Sequence, residues 1–192
     1  MNAIVSAFCT ASRTFGAVVL ALLCAGCQFI GGDDPAQESR KQLRTQVEEL
    51  SRIPPREQLT DQPYIKGRAL VITKKQDSPF TSMEDPILWG SDRAKELMAE
   101  APEQVGTVVV LNYSNEKTDS YKIANSNGGI AGYREVCEVI VIDRSIPAVI
   151  HRETFRGPDL PPTKLVRETQ SIILSPVDLS AVRSYVLNLP RR

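Results

Sequence analysis

The stretch that most constrains the fold runs from Tyr133 to Phe155, where GYREVCEVIVID and AVIHRETF read as two long strands joined at Arg144 to Pro147. Val136, Cys137, Val139, Ile140, Val141 and Ile142 leave almost no polar position in the second half of the first strand, the pattern of a strand covered on both faces. Such a strand must be central. Burying one Val or Ile side chain contributes roughly 1.5 to 3 kcal/mol, so this run is expected to hold the largest share of the core.

The remaining elements arrange themselves around it. Gly67 to Lys75 (GRALVITKK) and Val105 to Ser114 (VGTVVVLNYS) are strands, Asn115 to Thr118 reads as a turn into a shorter strand at Ser120 to Ala124, and Ser171 to Leu174 adds a last short strand. Asn125-Ser126-Asn127-Gly128-Gly129 is a turn cluster, and the Pro-rich segment from Arg156 to Pro162 cannot form a ladder. Short connections between successive strands predict an antiparallel meander. Ser91 caps a short helix with Ala94, Leu97, Met98 and Ala101 at helical spacing. Ser175, Pro176 and Asp178 open a final helix with Leu179, Val182, Val186 and Leu189 on one face. The sum is an α+β domain: an antiparallel sheet of four to five strands with helices packed mainly on one face.

A further helix precedes this body. Asp34 is a good N-cap, Pro35 suits the first helical position, and Pro54-Pro55 stops the helix that spans Pro35 to Arg52. Its apolar stripe is narrow, with only Leu43, Val47 and Leu50. That pattern predicts a surface helix or docking spacer whose loss removes little core.

Met1 to Gly26 has no acidic residue, one positive charge at Arg13, the apolar run Phe15 to Cys24, and then small residues, which is the layout of a secretory signal. The run is short of the roughly 20 apolar residues that span a membrane. Leu22-Leu23-Cys24-Ala25-Gly26-Cys27 resembles the lipobox of bacterial lipoproteins. The resemblance implies cleavage before Cys27 and lipidation of that cysteine, two or more acyl chains being needed for stable attachment. It also implies a bacterial envelope location. Gln28 after Cys27, in place of Asp, resembles outer-membrane sorting in double-membraned bacteria. The chain then divides into a signal peptide (1–26), a lipidated cysteine with a flexible Gly-Gly-Asp-Asp tether (27–34), the N-terminal helix (35–54) and one α+β domain (55–192). The Val-Ile-Asp and Phe-Arg-Gly strand ends followed by Pro-Pro also resemble small uncharacterised bacterial envelope proteins and, loosely, lipoproteins that assist secretion or envelope assembly. No activity follows from that.

Chemistry is sparse in this sequence. Lysine and arginine number 23 against 23 aspartates and glutamates, so no bulk field draws the chain to nucleic acid, and a nucleic-acid partner is not expected. Of four cysteines, Cys9 and Cys24 lie in the signal and Cys27 is the lipid site, which leaves Cys137 alone, without a disulfide and expected to be buried. The single histidine, His151, sits in a strand with Val149, Glu153 and Phe155 expected on its face, and Glu135 and Glu138 fall on opposite faces. There is no G-x-S-x-G, H-E-x-x-H, P-loop or G-x-G-x-x-G motif. No metal or cofactor is expected. Trp89, Tyr113, Tyr121, Tyr133 and His151 are the candidate ligand or surface residues, Trp89 being more plausible as a packing anchor. The expected function is a non-enzymatic envelope lipoprotein that binds or organises a protein partner. The alternatives are a small hydrolase or modifying enzyme with a site invisible in sequence, and a binder of small ligands on Tyr and Trp side chains.

Overall fold

The computed structural model describes residues 35–76, 81–84, 86–122, 129–160 and 172–192. The signal, Cys27, the tether, Asp34, the turn residues Asn125 to Gly128, Pro161-Pro162 and Ser171 lie outside them. The chain divides into two units, Met1–Glu38 and Ser39–Arg192. Of the first, only the opening turn of a helix is described, so the domain below is the second.

Six strands form one sheet: β1 Arg68–Lys75, β2 Thr81–Met83, β3 Val105–Lys122, β4 Gly129–Asp143, β5 Ala148–Arg156 and β6 Ile172–Ser175. Their order is β2-β1-β3-β4-β5, with β6 also paired to β4. As its unbroken apolar run requires, β4 is central. It meets β3 from Thr107 to Lys122 on one side, and β5 on the other through pairs from Val136↔Arg156 to Asp143↔Ala148. β3, β4 and β5 make the expected antiparallel meander, but β1 runs parallel to β3 and β6 parallel to β4. The parallel pair follows from the long connection between β1 and β3, which contains β2 and a helix, because parallel neighbours need a crossover. β2 is the strand that the sequence pattern misses. Nor does the chain turn at Asn115 to Thr118: β3 continues to Lys122 with only a register shift between Lys117 and Ser120.

Alternation of side chains along the sheet builds two cores. On the first face Ala69, Val71, Val109, Leu111, Cys137, Val139 and Val141 pack with Trp89, with Ala94 and Leu97 of helix α3 (Asp92–Leu97), and with Val182, Val186 and Leu189 of helix α4 (Leu179–Asn188) and its C-cap. On the second face Leu70, Ile72, Val108, Val110, Ile140, Ile142 and Val149 pack with Leu43 of α1 (Pro35–Thr45) and with Val47 and Leu50 of α2 (Val47–Leu50). Helical side chains thus enter both clusters, where the pattern expects helices mainly on one face. Leu43, Val47 and Leu50 are 0%, 4% and 8% exposed. The stripe that predicts a peripheral helix is therefore core.

Local signals explain most element ends. α1 and α2 are two pieces rather than one helix to Arg52, broken at Gln46, where Thr45 Oγ1 donates back to the Gln42 carbonyl at 2.7 Å. Ser91 Oγ accepts from Ala94 N–H at 3.2 Å and caps α3 as expected. α4 is capped by Asp178, which accepts from the N–H groups of Ser180 and Ala181, and not by Ser175, which ends β6 with its hydroxyl on the Pro158 carbonyl. The later start leaves Leu179 49% exposed, so the buried face begins at Val182. At the entry to β1, Lys66 N–H donates to Thr107 Oγ1 and Thr107 Oγ1 donates back to the Lys66 carbonyl. A Cβ on Gly106 would lie 2.2 Å from that carbonyl oxygen. Just before, Ile65 N–H donates to Pro190 O and Arg192 N–H to Ile65 O, fastening residues 190–192 beside the start of the sheet.

Candidate functional site

β3 and β4 are longer than their neighbours. At about 3.4 Å per residue, the 18 residues of β3 reach well past β1, whose pairing stops at Tyr113. The ribbon formed by Ser114 to Lys122 of β3 and Gly129 to Gly132 of β4 therefore leaves the part of the sheet that α3 and α4 cover, and β6 widens it at one edge. On the first face of this ribbon, Gln76, Asn115, Tyr133, Ile172 and Leu174 line an open cavity of about 460 Å³. Ile172 and Leu174 are 54% and 42% exposed. The cavity lining carries no charge.

The five candidate residues do not converge. Tyr133 lines the cavity. Tyr113 shares its face by register but is half-buried against the first core, beside Cys137, and burial raises its phenol above the usual range. Cys137 is fully buried and free, its thiol pushed up to about 11, first by burial. Tyr121 is buried with Ile130 and Ile173 in a third small cluster. Trp89 is 6% exposed, with its indole N–H buried and the Arg183 guanidinium 5.9 Å from its ring, and it anchors the first core. His151 is half-buried, stacks on Tyr185 at 6.2 Å and faces Glu153 at 3.6 Å. It does not share a face with Val149. The register shift between Val141 and Ile142 sets His151 opposite Val141 and Val149 opposite Ile142, and sends Val149 into the second core.

The second face of the same half carries cross-strand ion pairs. Arg134 meets Glu116 at 2.9 Å and Asp159 at 2.7 Å, and Arg152 meets Glu138 at 2.8 Å and Glu57 at 2.9 Å. Each such pair contributes about 0 to 1 kcal/mol. Glu135, on the opposite face from Glu138, instead accepts from Val177 N–H at 3.0 Å.

One polar cluster is absent from the sequence-level candidates. Asp143, the last residue of β4, is 1% exposed. It accepts from Tyr64 OH at 2.8 Å, from Ser145 N–H at 2.8 Å and from Ser145 Oγ at 2.6 Å, while Lys66 Nζ donates to Ser145 Oγ at 2.8 Å. The Arg192 guanidinium lies 4.2 Å over the Tyr64 ring. The Asp143-Arg144-Ser145 spacing is the available signal, since Asp bonds backbone two residues on. Burial pushes the Asp143 carboxyl up, but the bonds from Ser145 and Tyr64 outweigh it and hold the carboxyl below its ordinary 3.8. The same bond raises the Tyr64 phenol. Chemically the cluster is a pin: the Ser145 proton is directed at Asp143 and a lone pair of its oxygen at Lys66, so the hydroxyl is held rather than activated.

A folded-state pKa below the unfolded one stabilises the fold above that unfolded value, and the stabilisation is lost as pH falls through the folded value. Asp143→Asn is accordingly expected to lower the melting temperature at pH 7. The difference from the parent chain should narrow below about pH 3.8, where the parent carboxyl also takes up its proton. Melts of both chains across pH check this, and a gap that widens in acid would contradict the assignment.

Among the described residues no group of three or more His, Cys, Asp or Glu side chains is placed to hold a metal ion. No protein-family model matches this chain, and no curated protein matches it.

Proposed function

We propose that this chain is a lipid-anchored protein of the bacterial envelope whose mature domain binds or organises another protein rather than catalysing a reaction. The observation that carries the anchor is the run Leu22-Leu23-Cys24-Ala25-Gly26-Cys27 behind an apolar segment free of acidic residues. With Gln28 at the next position, the anchored domain belongs at the outer membrane, facing the periplasm, in a double-membraned host. No helix among the described residues is long and apolar enough to cross a membrane; in this reading the acyl chains on Cys27 make the attachment. Support for binding over catalysis comes from how the polar groups are used. Asp143, Ser145, Tyr64 and Lys66 satisfy one another, and the arginines of the sheet's second face are paired to carboxylates. The cavity on the first face, in contrast, offers uncharged polar and apolar surface, which suits recognition.

Cys27→Ser is expected to abolish labelling by radioactive palmitate and to move the protein from the membrane to the soluble fraction on centrifugation. A variant that remains in the membrane fraction would show that the lipid is not the anchor.

A further inference from the structure

β5 is the last strand of the sheet, and its outer edge is paired over its first residues alone. Val149 N–H donates to Arg56 O at 3.0 Å, Gln58 N–H to Val149 O at 2.8 Å, and Thr60 N–H to Ile150 O at 2.9 Å. The chain then leaves this lane. Gln62 N–H turns back onto Thr60 Oγ1 at 3.2 Å, and Tyr64 has reached Asp143, which lies opposite the first residue of β5.

The direction of the backbone groups beyond Ile150 follows from the other end of the strand. Gly157 N–H donates to Glu135 O at 2.9 Å and so points at β4. Bonded and non-bonded pairs alternate along an antiparallel ladder, and pairing is unshifted from Val136↔Arg156 to Val141↔His151. Phe155, Glu153 and His151 therefore bond to β4, and the N–H and C=O groups of Arg152, Thr154 and Arg156 face outward. The register shift past His151 reverses this parity, as the outward bonds of Val149 require. Among the described residues no strand pairs with β5 from Arg152 to Arg156 on this side, and Thr154 and Arg156 are exposed.

The side chains along this edge add one loosely held charge of each sign. On the second face Arg156 reaches Glu116 at 3.9 Å, a carboxylate that Arg134 already holds at 2.9 Å. On the first face Glu153 faces His151 at 3.6 Å. These two side chains are 53% and 44% exposed. Between them Phe155 is half-buried on the first face, with the Tyr185 ring edge-on at 5.5 Å.

We infer that Arg152 to Arg156 of β5 accept an extended segment of a partner protein as an added antiparallel strand, with an acidic residue opposite Arg156, an apolar one opposite Phe155 and a basic one opposite Glu153. The edge gives the main-chain hydrogen bonds and the three side chains give the register. A second copy of this chain is the poorer occupant: two-fold pairing about Thr154 sets Arg152 opposite Arg156 and Glu153 opposite Phe155, and like charges directly opposite are destabilising.

This inference rests on the binding role proposed above and gives it a surface and a partner chemistry. The test follows the anisotropy of a fluorescein-labelled peptide, Ser-Glu-Val-Thr-Lys-Thr-Ser, against the full chain. Saturable binding is expected. N-methylation of the central Thr, whose N–H meets the Thr154 carbonyl, weakens it about tenfold or more, whereas N-methylation of the Val, whose N–H points away, changes it by less than about twofold. Exchanging Glu and Lys in the peptide weakens binding about tenfold, and Arg156→Glu with Glu153→Lys in the protein restores the exchanged peptide and weakens the original one. Melts check that this variant keeps the fold, and the peptide series needs no variant. No saturable binding, equal loss from the two methylations, or indifference to the exchange would each overturn the inference. So would a dimer in sedimentation that excludes the peptide, since the edge would then belong to a second copy. The assay does not involve Cys27, so its failure leaves the anchor standing, and a failed fractionation leaves this site standing.

Discussion

Leu43→Ala is expected to lower the unfolding free energy by about 2 to 5 kcal/mol, the range for truncating a buried leucine, and Leu43→Asp to leave no cooperative transition. Leu43 is fully buried, and its neighbours in the second core include Leu70, Ile72, Val108, Val110 and Ile140, all 1% exposed or less. An aspartate there would place a carboxylate among aliphatic side chains. Its desolvation costs several kcal/mol without a partner, a large fraction of the roughly 5 to 15 kcal/mol that stabilises an ordinary domain. Removal of residues 39–52 should do the same, because it strips Leu43, Val47 and Leu50 from one entire face of β1, β3 and β4. Urea unfolding followed by the fluorescence of Trp89, the single tryptophan, reads the result from the opposite core. A loss below about 0.5 kcal/mol, the size of an ordinary surface substitution, would return this helix to the periphery.

Gly106→Ala should be strongly damaging for a single added methyl. The new Cβ would sit 2.2 Å from the Lys66 carbonyl oxygen and 2.9 Å from its carbon, both backbone atoms held by the reciprocal Thr107 bonds. Neither can rotate away, so the segment before β1 must lift off β3. Overpacking of this kind costs about 1 to 3 kcal/mol and at times more, and each kcal/mol moves the melting temperature about 2 to 4 °C in a domain of this size. A drop of about 2 to 12 °C is therefore expected. Gly129→Ala is the control, since there the nearest atom outside its own neighbours is Tyr121 O at an ordinary 3.6 Å. Equal melts for the two variants would mean that the approach of Lys66 to Gly106 is not a constraint.

How far the fold was legible in the sequence depended on whether a residue's neighbours along the chain were also its neighbours in space. The Val136 to Ile142 run announced a central strand because both of its faces are buried, and Ser91 announced a helix start because its partner, Ala94, is three residues away. Leu43, Val47 and Leu50 looked too few to matter, since the aliphatic residues that receive them come from four distant strands. Asn115 to Thr118 looked like a turn on composition. It is strand because Glu116 finds Arg134 across the ladder and solvent bathes the ribbon. Of the candidate site, only Tyr133 was visible, and nothing local pairs it with Ile172, Leu174 or Gln76. Asp143 was placed correctly at the end of β4 and misjudged in role, because its burial depends on Tyr64 arriving from 79 residues earlier.

The bridge between Ile65 and residues 190–192 bears on when this domain can form. Pro190 O and Arg192 N–H complete the hydrogen bonding of Ile65 just where β1 begins, and β1 is parallel to β3 and so waits for a long crossover. The β3–β4–β5 meander is assembled from near neighbours and can pair early, whereas the strand that opens the sheet takes its partners from far along the chain, β3 beside it and residues 190–192 at its entry. Contacts of such wide sequence separation slow folding. Until residues 190–192 dock, the entry to β1 lacks both backbone bonds of Ile65.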